Sequence, residues 1–208
     1  MTKQVEYLVN NYFKNKTSGY FVDIGANDGV EGSNSYFFEQ IGWSGICVEP
    51  ILEIYNMLSN NRHCECYNVA ITDEDKNYTF LYVKSKRKPN IYIDMLSGIL
   101  EYYDERHLVR IDNEIARHSG EKVFIEVQGR KFNSLVTEIN IDYVSIDTEG
   151  NEFSIVKSID FDKYNIFSFS IENNYKDNNL IDFMLSKGYH YAIDVGADNI
   201  FIKNNSKI

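Results

Sequence analysis

The sequence predicts an α/β fold, a three-layer sandwich on a mixed seven-stranded sheet, and three observations carry that prediction. Two short apolar runs, Tyr20-Phe-Val-Asp-Ile-Gly-Ala-Asn-Asp-Gly29 and Gly45-Ile-Cys-Val-Glu49-Pro50, each close on a carboxylate. Strands that end on acids and glycines are how a nucleoside-binding sheet presents itself to a ligand. Strand-like and helix-like periodicities then alternate along the chain, as a parallel sheet with crossover helices requires. Finally, residues 189–195 and 200–202 are apolar runs separated only by Gly196-Ala-Asp-Asn199, so they must pair antiparallel. A pure dinucleotide domain would continue parallel, and the hairpin therefore predicts an antiparallel last strand.

In chain order, Val5, Leu8, Val9, Tyr12 and Phe13 recur at helical spacing, which predicts a helix over 3–15 covering one edge of the sheet. The first strand ends at Asp23, and Gly25 and Gly29 allow a tight turn beneath a ligand. Ser33-Asn34-Ser35 starts a helix with Tyr36, Phe37 and Ile41 inward and Gly42 as its stop. The second strand closes on Glu49, and Pro50 opens the next helix. The third strand runs to Asn68-Val-Ala-Ile71, and 77–83 alternates as an extra, locally paired strand. From about 84 to 120 the rhythm breaks into an insertion carrying Ser97, Tyr102, Tyr103, His107, Arg110 and His118. Insertions above strand ends commonly carry substrate recognition. After Val123 come a short strand, a helix over 134–139, a fourth strand ending at Asp147, a helix after Gly150, a fifth strand over 166–171 and a helix ending at Gly188.

A chain of 208 residues fits a single domain, and 43% hydrophobic residues suffice to cover both faces of one sheet. With 21 basic and 31 acidic residues the net charge is −10, which opposes a nucleic-acid partner. The one basic run, 84–88, reads as a solvated loop. No window approaches a membrane span and the N-terminus lacks a signal peptide's apolar core, so the expected location is cytoplasmic. Cys47, Cys64 and Cys66 read as reduced thiols, because zinc needs about four ligands and only His63 adjoins the close pair.

The glycine spacing bears on the ligand. Gly25-Ala-Asn-Asp-Gly29 lacks the middle glycine of the dinucleotide fingerprint, and Asp23 would repel a pyrophosphate. The same carboxylate suits the ammonium end of S-adenosylmethionine, and Glu49 suits the two hydroxyls of its ribose.

Six segments then occur together: Phe21 to Gly29, Gly32 to Ser35, Ile46 to Pro50, Met95 to Ile99 with Tyr103 and His107, Asp142 to Glu152, and Ser170 to Glu172. In this set the chain resembles the FkbM family of S-adenosylmethionine-dependent methyltransferases over most of residues 20–173. The resemblance implies a class I methyltransferase (Rossmann-like) fold with strand order 3-2-1-4-5-7-6, and methylation of a hydroxyl on a sugar, a nucleotide-activated sugar or a related metabolite in polysaccharide or natural-product assembly. It implies donor contacts from Asp23, Gly25, Ala26, Asn27, Gly29, Asn34, Glu49, Pro50, Ile51, Asn68, Val69, Ala70 and Asp147, with Asp147 nearest the methionine amine. Glu149 and Glu172 are then left to face the acceptor, and Ser97, Tyr103, His107, Arg110 and His118 to recognise it.

Methyl transfer to a hydroxyl needs in-line placement and a base. Clustered carboxylates raise one another's pKa, so Glu149 or Glu172 is the expected base, with Asp147 beside them and His107 and His118 as rivals. Glu152 reads as a solvated helix residue. Asp147, Glu149 and Glu172 are also hard oxygen ligands for Mg²⁺, although their spacing is no dedicated metal motif. The acidic pocket would equally serve methylation of a small amine, and a non-catalytic donor-binding protein is the remaining alternative.

Overall fold

The computed structural model describes residues 1–85 and 91–204. In chain order it consists of α1 (Lys3–Leu8), β1 (Tyr20–Ile24), α2 (Tyr36–Gln40), β2 (Ser44–Val48), α3 (Leu52–Asn61), β3 (Glu65–Tyr67), β4 (Ala70–Thr72), β5 (Asn77–Ser85), α4 (Ile91–Asp94), β6 (Gly98–Ile99), α5 (Glu105–His118) and β7 (Gly120–Lys131). It continues through α6 (Phe132–Leu135), β8 (Asn140–Ile146), α7 (Glu152–Ser158), β9 (Asn165–Glu172), α8 (Asn178–Ser186), β10 (Tyr189–Val195) and β11 (Asp198–Lys203). The predicted first helix is shorter than 3–15. Thr2 caps α1 by accepting from the Val5 N–H, and the chain continues as a π-helical segment, Val9–Phe13. The predicted helix over 134–139 is instead the single turn α6, after a strand of 12 residues.

The main sheet runs β3-β2-β1-β8-β9-β11-β10. β11 is antiparallel to both β9 and β10, while β1 pairs parallel with β2 and β8. The chain numbering departs from a simple 3-2-1-4-5-7-6 because four strands of a second sheet, in the order β4-β7-β5-β6, intervene between β3 and β8. The central strands are buried along nearly their whole length, as parallel strands covered on both faces must be. Val22, Ile24, Val144 and Ile146 pack with α6, α7 and α8 on one side. Phe21, Cys47 and Tyr143 pack with α1, α2 and Trp43 on the other.

The second sheet corrects the sequence reading most. The third strand does not reach Ile71: the chain leaves the main sheet after Tyr67, and β4 pairs with β7, Ala70 opposite Gly129. The 84–120 segment is the connection between two long antiparallel arms, since β5 and β7 pair from Asn77–Gln128 to Ser85–Gly120. One apolar cluster, with Ile51, Ile54, Tyr78, Phe80 and Ile99, joins this sheet to α3. A second, with Leu81, Val83, Leu96 and Ile111, seats α4 and α5 on it. Within the basic run, 86–88 lie outside the described residues. All three cysteines are free, with the Sγ atoms of Cys47 and Cys64 3.6 Å apart. Among the described residues no helix is long and apolar enough to cross a membrane.

Candidate active site

The carboxyl ends of β1, β2, β8 and β9 and the inner edge of the second sheet enclose a cavity of about 440 Å³. Its floor is drawn together by backbone hydrogen bonds. The Gly25 and Ala26 N–H groups both donate to the Val48 carbonyl at 3.0 Å, Glu49 N–H donates to Tyr67 O, and Asp147 N–H donates to Ile24 O. Gly25 must be glycine, because its φ is +84° and a Cβ there would lie 1.8 Å from the Asp147 carbonyl oxygen. The switch between β1 and β8 is where such sheets open a ligand crevice.

At one end of the cavity Glu49 is a buried carboxylate among Ile51, Ile54, Val69, Ala70 and Phe80. Its Oε1 accepts from the Ile51 N–H at 2.8 Å. Burial pushes its pKa up to about 7, against the opposing pull of the Ile51 and Asn27 N–H groups. Asn68 fixes the turn around it by donating to the carbonyls of Glu49 and Pro50, each at 2.9 Å.

At the other end Asp147, Glu149 and Glu172 converge, with one oxygen of each within 4.8 Å of the others. Among the described residues the side-chain carboxylates of Asp147 and Glu172 form no hydrogen bond or ion pair. Burial, then the neighbouring carboxylates, raise the pKa of both well above the ordinary range. Glu149 takes the left-handed backbone conformation, φ +58°. Its Oε2 meets Asn174 Nδ2 at 3.2 Å, His107 Nδ1 at 3.4 Å and Arg110 Nη1 at 3.5 Å. Burial raises Glu149 to about 7, partly offset by Arg110. Burial lowers the His107 pKa, and its Nε2 lies 3.1 Å from the Leu96 carbonyl, so the neutral ring donates there and turns a bare Nδ1 towards Glu149. That contact is favourable when the carboxyl is protonated, so it is not a standing ion pair.

Of the residues singled out by sequence, Asp23, Gly25, Ala26, Asn27, Asn34, Glu49, Pro50, Ile51, Val69, Ala70, Asp147, Glu149, Glu172, Ser97 and Arg110 line this one cavity. Gly29 does not: a Cβ there would strike Leu58 and Arg62 behind the loop. Asn68, as described, braces the backbone from outside. Tyr103 stacks on His107 at 4.7 Å and donates to the Leu96 carbonyl, so both rings support the wall rather than form it. His118 lies at the far end of α5, 3.2 Å from Glu114. Ser97 faces the cavity, yet its hydroxyl is engaged by Asp94 O and Val83 N–H.

Sequence reasoning missed four residues. Glu152 is not solvated: it is buried, and its Oε1 accepts from Thr148 N–H, Thr148 Oγ1 and Gly150 N–H at 2.9–3.0 Å, holding the loop that aims Glu149. Asn151 ties that loop to the Ile71 carbonyl, and Asn174 touches Glu149. The fourth is Arg62, buried behind the glycine loop. A carboxylate six residues after the end of β8 and four after Thr148 was a visible sign for Glu152, as in a helix-start cap. The other three act across long sequence separations.

Among solved structures the chain is similar to the METTL16 MTase domain, at 14% identity and a TM-score of 0.45, over 97% of this chain and 65% of that one. The chain therefore spans a little under two thirds of that relative's length. It is also similar to a Methanococcus maripaludis protein described as an S-adenosyl-L-methionine-dependent methyltransferase, at 9% identity and a TM-score of 0.41, over 98% and 84% of the two chains. No curated protein matches. The profile described as Methyltransferase FkbM domain matches residues 23–191, from the end of β1 into β10, and with it most of the chain. On that match the chain belongs to the FkbM family of S-adenosylmethionine-dependent methyltransferases.

Proposed function

We propose that this protein methylates a hydroxyl of a saccharide, nucleotide-activated sugar or related metabolite, with S-adenosylmethionine as donor. The observation carrying this reading is that one cavity joins a buried Glu49 in an apolar niche to the convergent carboxylates of Asp147, Glu149 and Glu172. These residues suit the donor. Glu49 offers a carboxylate for ribose hydroxyls between the apolar walls Ile51, Val69 and Ala70, which suit adenine. Gly25, Asn27, Asn34 and Asp147 are left for the methionine half, where a positive charge would relieve an unpaired acid.

The bound donor supplies an electrophilic methyl on a positively charged sulfur. The chain's own residues place the acceptor and take its proton as the oxygen–methyl bond forms, while the sulfur keeps the electrons of its broken bond to carbon. Glu149 and Glu172 line the acceptor end, and a carboxylate near neutrality is a far better base than one near 4. Arg110, exposed at the rim beside Glu149, is placed to meet the acceptor. The same three oxygens would also suit Mg²⁺, and a chelation arm separates that reading.

Calorimetric titration with S-adenosylmethionine tests donor binding directly. Mass and nuclear magnetic resonance analysis of products from sugars and small amines then identifies the methylated atom. Methyl transfer to nitrogen, favoured by the acidity of the pocket, would replace the hydroxyl reading. Absence of donor binding would end both.

A further inference from the structure

We infer that Arg62 is the positioning residue of the donor loop, holding it from behind without entering the cavity. The loop over 25–35 has no regular secondary structure and four left-handed positions, Gly25, Asn27, Gly29 and Gly32, with φ between +49° and +84°. Such a segment is costly to order and needs an external brace. Arg62, directly after α3, supplies one. Its side chain is fully enclosed, and its guanidinium donates to three parts of the loop: the Gly29 carbonyl at 3.0 Å, Ser35 Oγ at 3.1 Å and Ser33 Oγ at 3.4 Å. Its Nε pairs with the Glu39 carboxylate of α2, and the Phe21 and Tyr36 rings each lie 5.5 Å away.

The brace extends to the sheet. Ser35, held by Arg62, donates to Asp23 Oδ2 at 2.5 Å. Burial raises the Asp23 pKa, while Ser35 and the Arg62 charge lower it. One oxygen of Asp23 is thus engaged by this network. Between the two anchors, Gly29 and Ser35, lies the stretch whose Gly32, Ser33 and Asn34 do face the cavity. A planar guanidinium with five fixed donors suits this multi-point hold, and a lysine ammonium does not.

The inference rests on the proposed division of the cavity, with Glu49, Ile51, Val69 and Ala70 for the nucleoside half of the donor and the loop for the methionine half. It therefore predicts a split that general destabilisation would not produce. Calorimetry on the purified chain is compared for S-adenosylmethionine and 5′-methylthioadenosine, which lacks the amino-acid half, in the parent protein, Arg62→Lys, Arg62→Met and Ser35→Ala. Arg62→Met should weaken S-adenosylmethionine by about tenfold to a hundredfold, as loss of charged hydrogen bonds implies, and methylthioadenosine by about twofold or less. Arg62→Lys should fall between, and Ser35→Ala should show a smaller split of the same sign. Amide hydrogen exchange over 26–35 should speed up in each variant without ligand.

Equal weakening of both ligands would make Arg62 a fold-stabilising residue only, and unchanged S-adenosylmethionine affinity would remove the positioning role. If Arg62→Met does not fold, Arg62→Lys and Ser35→Ala decide by the same criteria. A parent protein that binds neither ligand overturns the proposed function and this inference together. One that binds both, with no split in the variants, overturns this inference alone.

Discussion

Glu49→Gln should make the ligand-free protein more stable and the donor complex weaker. Glu49 is 5% exposed, and burial raises its pKa from an ordinary 4.5 to about 7. The folded state therefore holds the proton more tightly than the unfolded chain does. Its contribution is fully present below about pH 4.5 and is lost as pH rises through about 7. At about 1.4 kcal/mol per pH unit, the charged form costs the fold up to about 3 kcal/mol above neutrality. Glutamine keeps the oxygen that accepts the Ile51 N–H and never ionises. Other acids titrate in both proteins and cancel in the difference. For a chain of 208 residues, the variant should melt about 6–12 °C higher than the parent at pH 8, with the gap closing towards pH 4.5. Donor should close most of that gap. At a hundred times its dissociation constant it stabilises the parent by about 2.7 kcal/mol, and a variant that has lost charge-assisted ribose contacts gains far less. Differential scanning calorimetry at the two pH values, with and without S-adenosylmethionine, reads all four numbers. A ligand-free variant less stable than the parent at pH 8, or a gap independent of pH, would refute the account of Glu49 as a desolvated acid kept for binding.

Glu149→Gln and Glu172→Gln keep side-chain shape, so whichever is the base should lose about 10²–10⁴ in kcat with donor affinity retained. Base catalysis by Glu149 also requires its deprotonated form, so kcat/KM for the donor should rise with pH to a plateau above about 7; activity abolished by a chelator and restored by Mg²⁺ would assign the carboxylates to a metal instead. Arg110→Ala should raise the acceptor KM without changing donor binding, as steady-state kinetics with calorimetry will show. Tyr103→Phe, which removes the 2.9 Å bond to Leu96 O, should lower stability by about 1 kcal/mol and leave both ligands' affinities near the parent values.

The sequence revealed the parts of the site built from local chemistry. Gly25 announced a turn because no side chain fits its φ and close approach, and Glu49 announced a strand end because an acid interrupts an apolar run. The carboxylates after β8 were legible for the same reason. What stayed hidden depended on partners far away in the chain. β4 is only three residues long and acquires meaning from β7, which begins 48 residues after it ends. Without β7 in view, Ala70 to Thr72 reads as the end of the third strand. Tyr103 and His107 carried the chemistry expected of a substrate contact, yet each directs a polar atom to the Leu96 carbonyl, an acceptor no side-chain pattern discloses. Arg62 gave no signal because its partners are a carbonyl, two hydroxyls and a glutamate on other elements.

The crowding of acids explains why this cavity would take a cationic donor and leads to a last measurable consequence. Burial first, and then the charges of Glu149, Glu152 and Asp198, raise the pKa of both Asp147 and Glu172, and Asp147 adds to the repulsion on Glu172. Among the described residues lining the cavity the one basic side chain is Arg110, which stands at the exposed rim beside Glu149. Without a ligand the protein thus holds protons in this cavity at neutral pH that ordinary carboxyls would have released. A ligand bearing positive charge lowers those pKa values, so its binding must expel protons by linkage. S-adenosylmethionine carries one more positive charge than S-adenosylhomocysteine, so its binding should release more protons. Calorimetry near pH 7 in buffers of different ionisation enthalpy measures that number for each ligand, as the slope of apparent enthalpy against buffer enthalpy. Asp147→Asn should reduce the release for both ligands and narrow the difference. Equal proton release for the two ligands in the parent protein would mean that the sulfonium does not sense these carboxylates, and would place the reacting centre away from Asp147, Glu149 and Glu172.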